Sequence, residues 1–242
     1  MEGPSIHLLS EELQSFVHQK ILALSGNAQF DKEHLVNQEI KDIYAFGKQL
    51  IIQLTTDALV THFLMYGSYR INQERVGFAP RIALVTPHNT LFLYNCSTKT
   101  VPTDNLKQFL SLEFDILSPL WDIKKIVQAM RKHPNSTIDD VLLDQAIFAG
   151  VGNIIKNDVL FLCRVAPTTL VRTLSVKKLK EIAATARAFS QKFLEWRRQC
   201  MLKKNLFIYR KKLCPQCNSP IIRKKTGIKN RWSYICPVCQ PF

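Results

Sequence analysis

Two Cys-x-x-Cys knuckles near the end of the chain constrain it most. Cys214-Pro-Gln-Cys217 and Cys236-Pro-Val-Cys239 stand eighteen residues apart, enough for a β-hairpin that folds back and closes four thiolates around one tetrahedral ion. Structural zinc, one per chain, is the natural occupant. A redox pair would sit on a βαβ unit, which this tail lacks. The segment from about Leu206 is too short and too polar to build its own core, and the four thiolates are its one evident stabiliser. With every ligand position filled, the ion has no open site for catalysis.

The same tail is strongly basic. From Arg197 to Phe242 there are twelve Lys or Arg and no Asp or Glu, within a chain of net charge +14. Between the knuckles lie Arg223, Lys224, Lys225, Lys229 and Arg231, with Trp232 and Tyr234 beside them. Such a surplus acts on partners, and nucleic acid is the polyanion it fits best. Seven cysteines without a secretion signal point to reduced thiols, with Cys96, Cys163 and Cys200 read as spare core residues. No run reaches the length of a membrane span, and Met1-Glu2-Gly3-Pro4 is no charged leader, so we expect an intracellular protein (cytoplasm, nucleoid or nucleus) with no membrane association.

With 242 residues, 46% of them hydrophobic, the chain can bury a substantial core. Apolar spacing over Ile6–Leu24 predicts a leading helix. Short β-type runs follow at Gln49–Leu54, Leu59–Met65, Arg81–Val85 and Leu91–Tyr94, separated by turns at Thr55-Thr56-Asp57 and Pro87-His88-Asn89. Past Leu117-Ser118-Pro119 the period becomes helical: Asp122–Lys132, Ile138–Ala149, Ile154–Cys163 and Ser175–Trp196. The expected fold is α+β and multidomain. An N-terminal β-sandwich with its leading helix spans 1–118, a helical domain 119–205, and a zinc-finger β-hairpin 206–242.

The apolar helix Val141–Ala149 must stop at Gly150-Val151-Gly152, which puts Asn153 where the N-cap of the next helix should be. A helix start with an amide beside it suits a DNA phosphate, although an ordinary two-helix corner would look the same.

Leu142-Leu143-Asp144-Gln145 running into Ala149-Gly150-Val151-Gly152-Asn153 resembles the helix-two-turn-helix signature of the formamidopyrimidine-DNA glycosylase/endonuclease VIII family. The tail resembles that family's zinc finger, and Glu2-Gly3-Pro4 its N-terminal catalytic motif. The resemblance implies a base excision repair enzyme acting on damaged DNA, a glycosylase with AP lyase activity and a monomeric chain. In that chemistry the N-terminal amine attacks the sugar's anomeric carbon, expels the damaged base and forms a Schiff base whose elimination cuts the strand. It makes Met1 the nucleophile and Glu2 the acid/base residue, a role a carboxyl fills if its surroundings raise its pKa. Lys48, in Phe46-Gly47-Lys48-Gln49-Leu50, matches the catalytic hairpin lysine beside the lesion. Asn153 and Arg231 match the phosphate clamps, and Leu64, Met65 and Tyr66 match the loop that fills the emptied stack.

The chain also departs from the family pattern. Met1 stands where the family has proline, Ser5 replaces a common glutamate, and no Arg-rich motif lies near Asn95-Cys96-Ser97-Thr98. The missing motif and a short connector before the finger point to the endonuclease VIII branch and to oxidised pyrimidines. A primary amine still forms a Schiff base, and its reference pKa of roughly 7.7 to 8.0 leaves about a tenth or more neutral at pH 7. The competing readings are a non-catalytic damaged-DNA-binding relative that has lost the proline nucleophile, and an RNA- or ribosome-associated zinc protein.

Overall fold

A computed structural model describes residues 1–241, with Lys107 and Phe109 described by their backbone alone. It divides into two compact units, Met1 with Ser5–Ser111, and Glu2–Pro4 with Leu112–Phe242.

Helix α1 (Gly3–Glu12), which belongs to the first unit from Ser5 onward, precedes that unit's six strands: β1 (Ala23–Ser25), β2 (Ile40–Phe46), β3 (Gln49–Leu54), β4 (Asp57–Ile71), β5 (Ile82–Val85) and β6 (Thr90–Pro102). All pairings are antiparallel, in the order β1-β5-β6-β4-β3-β2. Both ends of this sheet feed one core. Ile43, Leu50 and Ile52 enter it from β2 and β3, and Ile82, Leu84, Leu91 and Leu93 from β5 and β6, together with Ile6, Leu9 and Leu13. The strands thus form one six-stranded sheet whose apolar residues pack with the leading helix into a single core. The leading helix is shorter than its apolar period predicts, because His18 at φ +67° turns the chain after a single 3-10 turn. Strand β2 was not foreseen: Lys41 and Asp42 interrupt the apolar pattern that would reveal it.

The second unit is built on α3 (Ile123–Arg131), α4 (Ile138–Leu142), α5 (Asn153–Leu162) and α6 (Val176–Arg198), which follow a short helical turn, α2 (Leu106–Phe109), at the end of the first. Helix α3 is capped by Asp122, whose carboxylate accepts from the amides of Lys124 and Lys125. Helix α6 is capped by Ser175, whose hydroxyl accepts from Lys178 N. Such caps satisfy amides that have no partner inside the helix. The predicted helix over Ile138–Ala149 ends at Leu142 and continues as turns. Phe148, Ile155, Val159, Ile182, Phe189 and Phe193 lie in the core these helices share.

After α7 (Leu202–Asn205) the tail forms the hairpin β7 (Ile222–Thr226) and β8 (Arg231–Ile235). Its base packs through Ile208, Tyr234, Cys214 and Cys236 against Phe161 of α5. The thiolates are therefore not its sole stabiliser. Among the described residues no helix is long and apolar enough to cross a membrane.

Candidate active site and nucleic-acid interface

In the first unit the N-terminal residue rests on the β-sheet core, with Met1 packed against the cluster that contains Phe63 and Leu93. A cavity of about 370 Å³ opens beside it, lined by Met1, Ser68, Tyr69, Arg70 and Ile71. Lys48 sits in the two-residue turn joining β2 to β3, where Gly47 takes φ +54°, a conformation that favours glycine. His62 faces Gln49 across β3 and β4. Burial lowers its pKa first, and the positive charges of Lys48 and of the N-terminal amine lower it further. Both amines thus lie close enough to act on one imidazole, which stays neutral at pH 7.

Strand β4 also carries the predicted void-filling residues. Between the pairs Phe63 with Cys96 and Ser68 with Tyr94, residues 64–67 stand opposite Asn95 alone. The excess has to bulge outward, which leaves Leu64 44%, Met65 64% and Tyr66 87% exposed. Asn95 fixes the bulge by donating from Nδ2 to Met65 O. Gly67 permits it, because a Cβ there would lie 2.8 Å from Asn95 O and 2.9 Å from Phe63 Cβ.

In the second unit the start of α5 differs from the sequence expectation. The N-cap is Gly152, in an extended conformation, and Asn153 is the first helical residue. The cap ligand comes from the other end of the chain. Glu2 Oε1 accepts from Ile154 N at 2.7 Å and Oε2 from Ile155 N at 3.3 Å, while Gly3 N donates to Gly150 O at 2.9 Å. A carboxylate at a helix N-terminus satisfies free amides and sits at the positive end of the dipole. Gly152 makes this possible, since a Cβ would lie 2.4 Å from Glu2 Cδ. Asn153 instead donates from Nδ2 to Trp232 O at 3.0 Å, and its Oδ1 is buried without a hydrogen-bond partner among the described residues.

The hairpin presents Arg231 as an exposed residue at the start of β8. Beside it the guanidinium of Arg223 lies 3.8 Å from the centre of the Trp232 ring and Lys225 Nζ 5.5 Å, cation–π contacts that gather positive charge on this face. At the base, the sulfurs of Cys214, Cys217, Cys236 and Cys239 all fall within 4.8 Å of one another. The pairs Cys214–Cys239 and Cys217–Cys236 are 3.8 and 3.4 Å apart. A tetrahedral ion with zinc–sulfur bonds of about 2.3 Å requires sulfur–sulfur separations of about 3.8 Å, so the four residues fit a metal. Cys96 and Cys163 are buried as expected of core thiols, but Cys200 is exposed, because it follows the end of α6 at φ +56°.

Residues 2–101 match the N-terminal domain of formamidopyrimidine-DNA glycosylase, and residues 112–202 match its H2TH domain. The chain belongs to the formamidopyrimidine-DNA glycosylase family. Its curated relatives include Endonuclease 8-like 3 of Mus musculus, 31% identical over 205 residues that take in 82% of this chain and 34% of that protein. The chain spans about a third of the length of such relatives. An endonuclease 8-like protein of Acanthamoeba polyphaga mimivirus is 25% identical over 99% of both chains. The fold is that of Lactococcus lactis formamidopyrimidine-DNA glycosylase bound to DNA containing an AP site, with a TM-score of 0.88 and 23% identity over the full length of both chains.

Within this family frame the structure adds residues that the sequence reading passed over. In the sequence Gly152 marks only the stop of the preceding helix; in the structure its missing side chain makes room for Glu2. His62 carried no motif. Lys156, Asn157 and Asp158 are buried polar residues in the middle of an apolar helix, a pattern that demands partners and is visible in the sequence.

Proposed function

We propose that this chain is a base excision repair DNA glycosylase with AP lyase activity that removes oxidised bases from damaged DNA. The α-amine of Met1 is the nucleophile. Its nitrogen bonds to the anomeric carbon as the bond to the damaged base breaks, ring opening yields the Schiff base, and elimination from that imine cuts the strand. Glu2, adjacent in sequence and oriented by two amides, manages protons at the sugar. Lys48 grips the backbone near the lesion, Leu64, Met65 and Tyr66 fill the vacated stack, and Asn153 and Arg231 bind flanking phosphates. Asn153 has a second Nδ2 hydrogen for this purpose. Zinc on the four cysteines is structural. The functional segments are the catalytic region 1–118, the DNA-binding helices 119–205 and the finger 206–242, acting as a monomer inside the cell.

The observation that carries this reading is the cavity with Met1 in its wall, beside a histidine that feels both the terminal amine and Lys48. Incubation with an abasic-site duplex and borohydride should trap an adduct on the peptide containing Met1. The adduct should vanish when a residue is added before Met1 or when Glu2 becomes Gln. Trapping by the extended chain would move the attack to a lysine. No trapping by any form would favour a damaged-DNA-binding protein without catalysis, the reading supported by Met1 in place of the family's proline. Thymine glycol or dihydrouracil should be cut faster than 8-oxoguanine opposite cytosine in a side-by-side assay, and the reverse order would overturn the pyrimidine preference.

A further inference from the structure

The hairpin β7–β8 is tied to α4 and α5 by a chain of buried polar groups. Lys156 of α5 is completely buried. Its Nζ donates to Ser233 Oγ at 2.7 Å and lies 3.4 Å from Trp232 O. Ser233 Oγ is 2.5 Å from Thr226 Oγ1, across the hairpin, and Thr226 donates to Asp139 Oδ2 at 2.5 Å. Asp139 Oδ1 in turn accepts from Thr137 Oγ1 at 2.6 Å and from Asp140 N at 2.9 Å. With the hydroxyls of Ser233 and Thr226 pointing the same way, each accepts one hydrogen and donates one. An ammonium at one end and a carboxylate at the other set that direction and strengthen every link.

These anchors bracket Arg231. Thr226 is its cross-strand partner, Ser233 lies two residues along the same strand, and the Lys156 charge is close enough to the Arg231 guanidinium for the two to repel. The hairpin turn is held by the residue after Asp139 in the same helix, where the Asp140 carboxylate accepts from Ile228 N and Lys229 N at 2.9 and 3.3 Å. A buried ammonium is costly, and a hydrophobic residue would stabilise the same interior without it.

We propose that Lys156, acting through Ser233 and Thr226, is a positioning residue that holds Arg231 where it meets a DNA phosphate. Lys156 itself touches no DNA. The proposal rests on the phosphate role given to Arg231 above.

The test uses the zinc-loaded full chain and a duplex carrying a tetrahydrofuran abasic analogue, with affinity measured over a range of salt concentrations below the melting temperature of each variant. Arg231→Ala should weaken binding on the order of tenfold and reduce the salt slope by about one. Lys156→Met and the milder Ser233→Ala should do the same in direction, and Arg231→Ala/Lys156→Met should bind no more weakly than Arg231→Ala alone. A Lys156→Met chain that melts earlier but keeps the wild-type salt slope, or losses that multiply in the double variant, would reduce Lys156 to a packing role and overturn the proposal. If Lys156→Met does not fold, the slope of Ser233→Ala decides in the same way. If Arg231→Ala itself binds with wild-type affinity and slope, the phosphate role of Arg231 fails, a result distinct from Arg231→Ala losing a unit of slope while Lys156→Met does not.

Discussion

Replacing Gly152 by Ala tests the link between the N-terminal glutamate and the helix it caps. The added methyl would lie 2.4 Å from Glu2 Cδ, 2.5 Å from Cγ and 2.6 Å from Oε1, so the side chain has to move. Moving it strips Ile154 N and Ile155 N of their acceptors. Losing a helix cap costs about 0.5 to 2 kcal/mol, and losing the favourable charge at the helix N-terminus about 0.3 to 1 kcal/mol more. Against this, Gly152 at φ −121° and ψ −166° is extended backbone that alanine adopts, and removing a glycine stiffens the unfolded chain by about 0.4 to 1 kcal/mol. The net expectation is a loss of about 1 to 2 kcal/mol, a fall in melting temperature of roughly 2 to 8 °C for a chain of this size. Calorimetry reads the first effect. Borohydride trapping reads the second, since a displaced Glu2 should slow adduct formation as Glu2→Gln does. In a Glu2→Ala background, where nothing occupies the space, the stability cost of Gly152→Ala should disappear. A Gly152→Ala protein that melts and traps like the wild type would refute the argument.

Further outcomes follow from the same geometry. Metal analysis should return about one zinc per chain, and chelation should lower the melting temperature and weaken DNA binding; an ordered finger in reduced, zinc-free protein would contradict this. Asn153→Ala should weaken binding to all DNA sequences alike, whereas a loss confined to one sequence context would point to base contact. Burial lowers the Lys156 pKa from 10.5 to about 8, against the opposing pull of Asp139. The unfolded chain therefore holds the extra proton between these values, and wild-type stability should rise relative to Lys156→Met as pH climbs from 8 to 10, by about 3 kcal/mol at most. Denaturant unfolding of both proteins at pH 7 and pH 10 measures it, and a constant difference would refute a buried titrating lysine.

Much of this protein was legible in its residues, wherever structure depends on neighbours in sequence. Helices α3, α5 and α6 announce themselves through apolar period and through caps at Asp122 and Ser175, because a helix closes its bonds within four residues. The four cysteines announce a metal site because two short spacings suffice to set tetrahedral ligands. Strand β2 stayed hidden because its charges at Lys41 and Asp42 are tolerated on an exposed stretch of the strand, and β4 read as ending at Met65 because a bulge interrupts it before Ser68. Only tertiary structure decided what completes the start of α5. The sequence places Asn153 at that position and supplies a residue able to cap it, but the cap is a carboxylate 152 residues away, admitted by the missing side chain of Gly152. It decided equally that the partner of Lys156 would be Ser233: polar residues inside an apolar helix show that partners are needed, but which distant groups supply them is encoded by no local pattern.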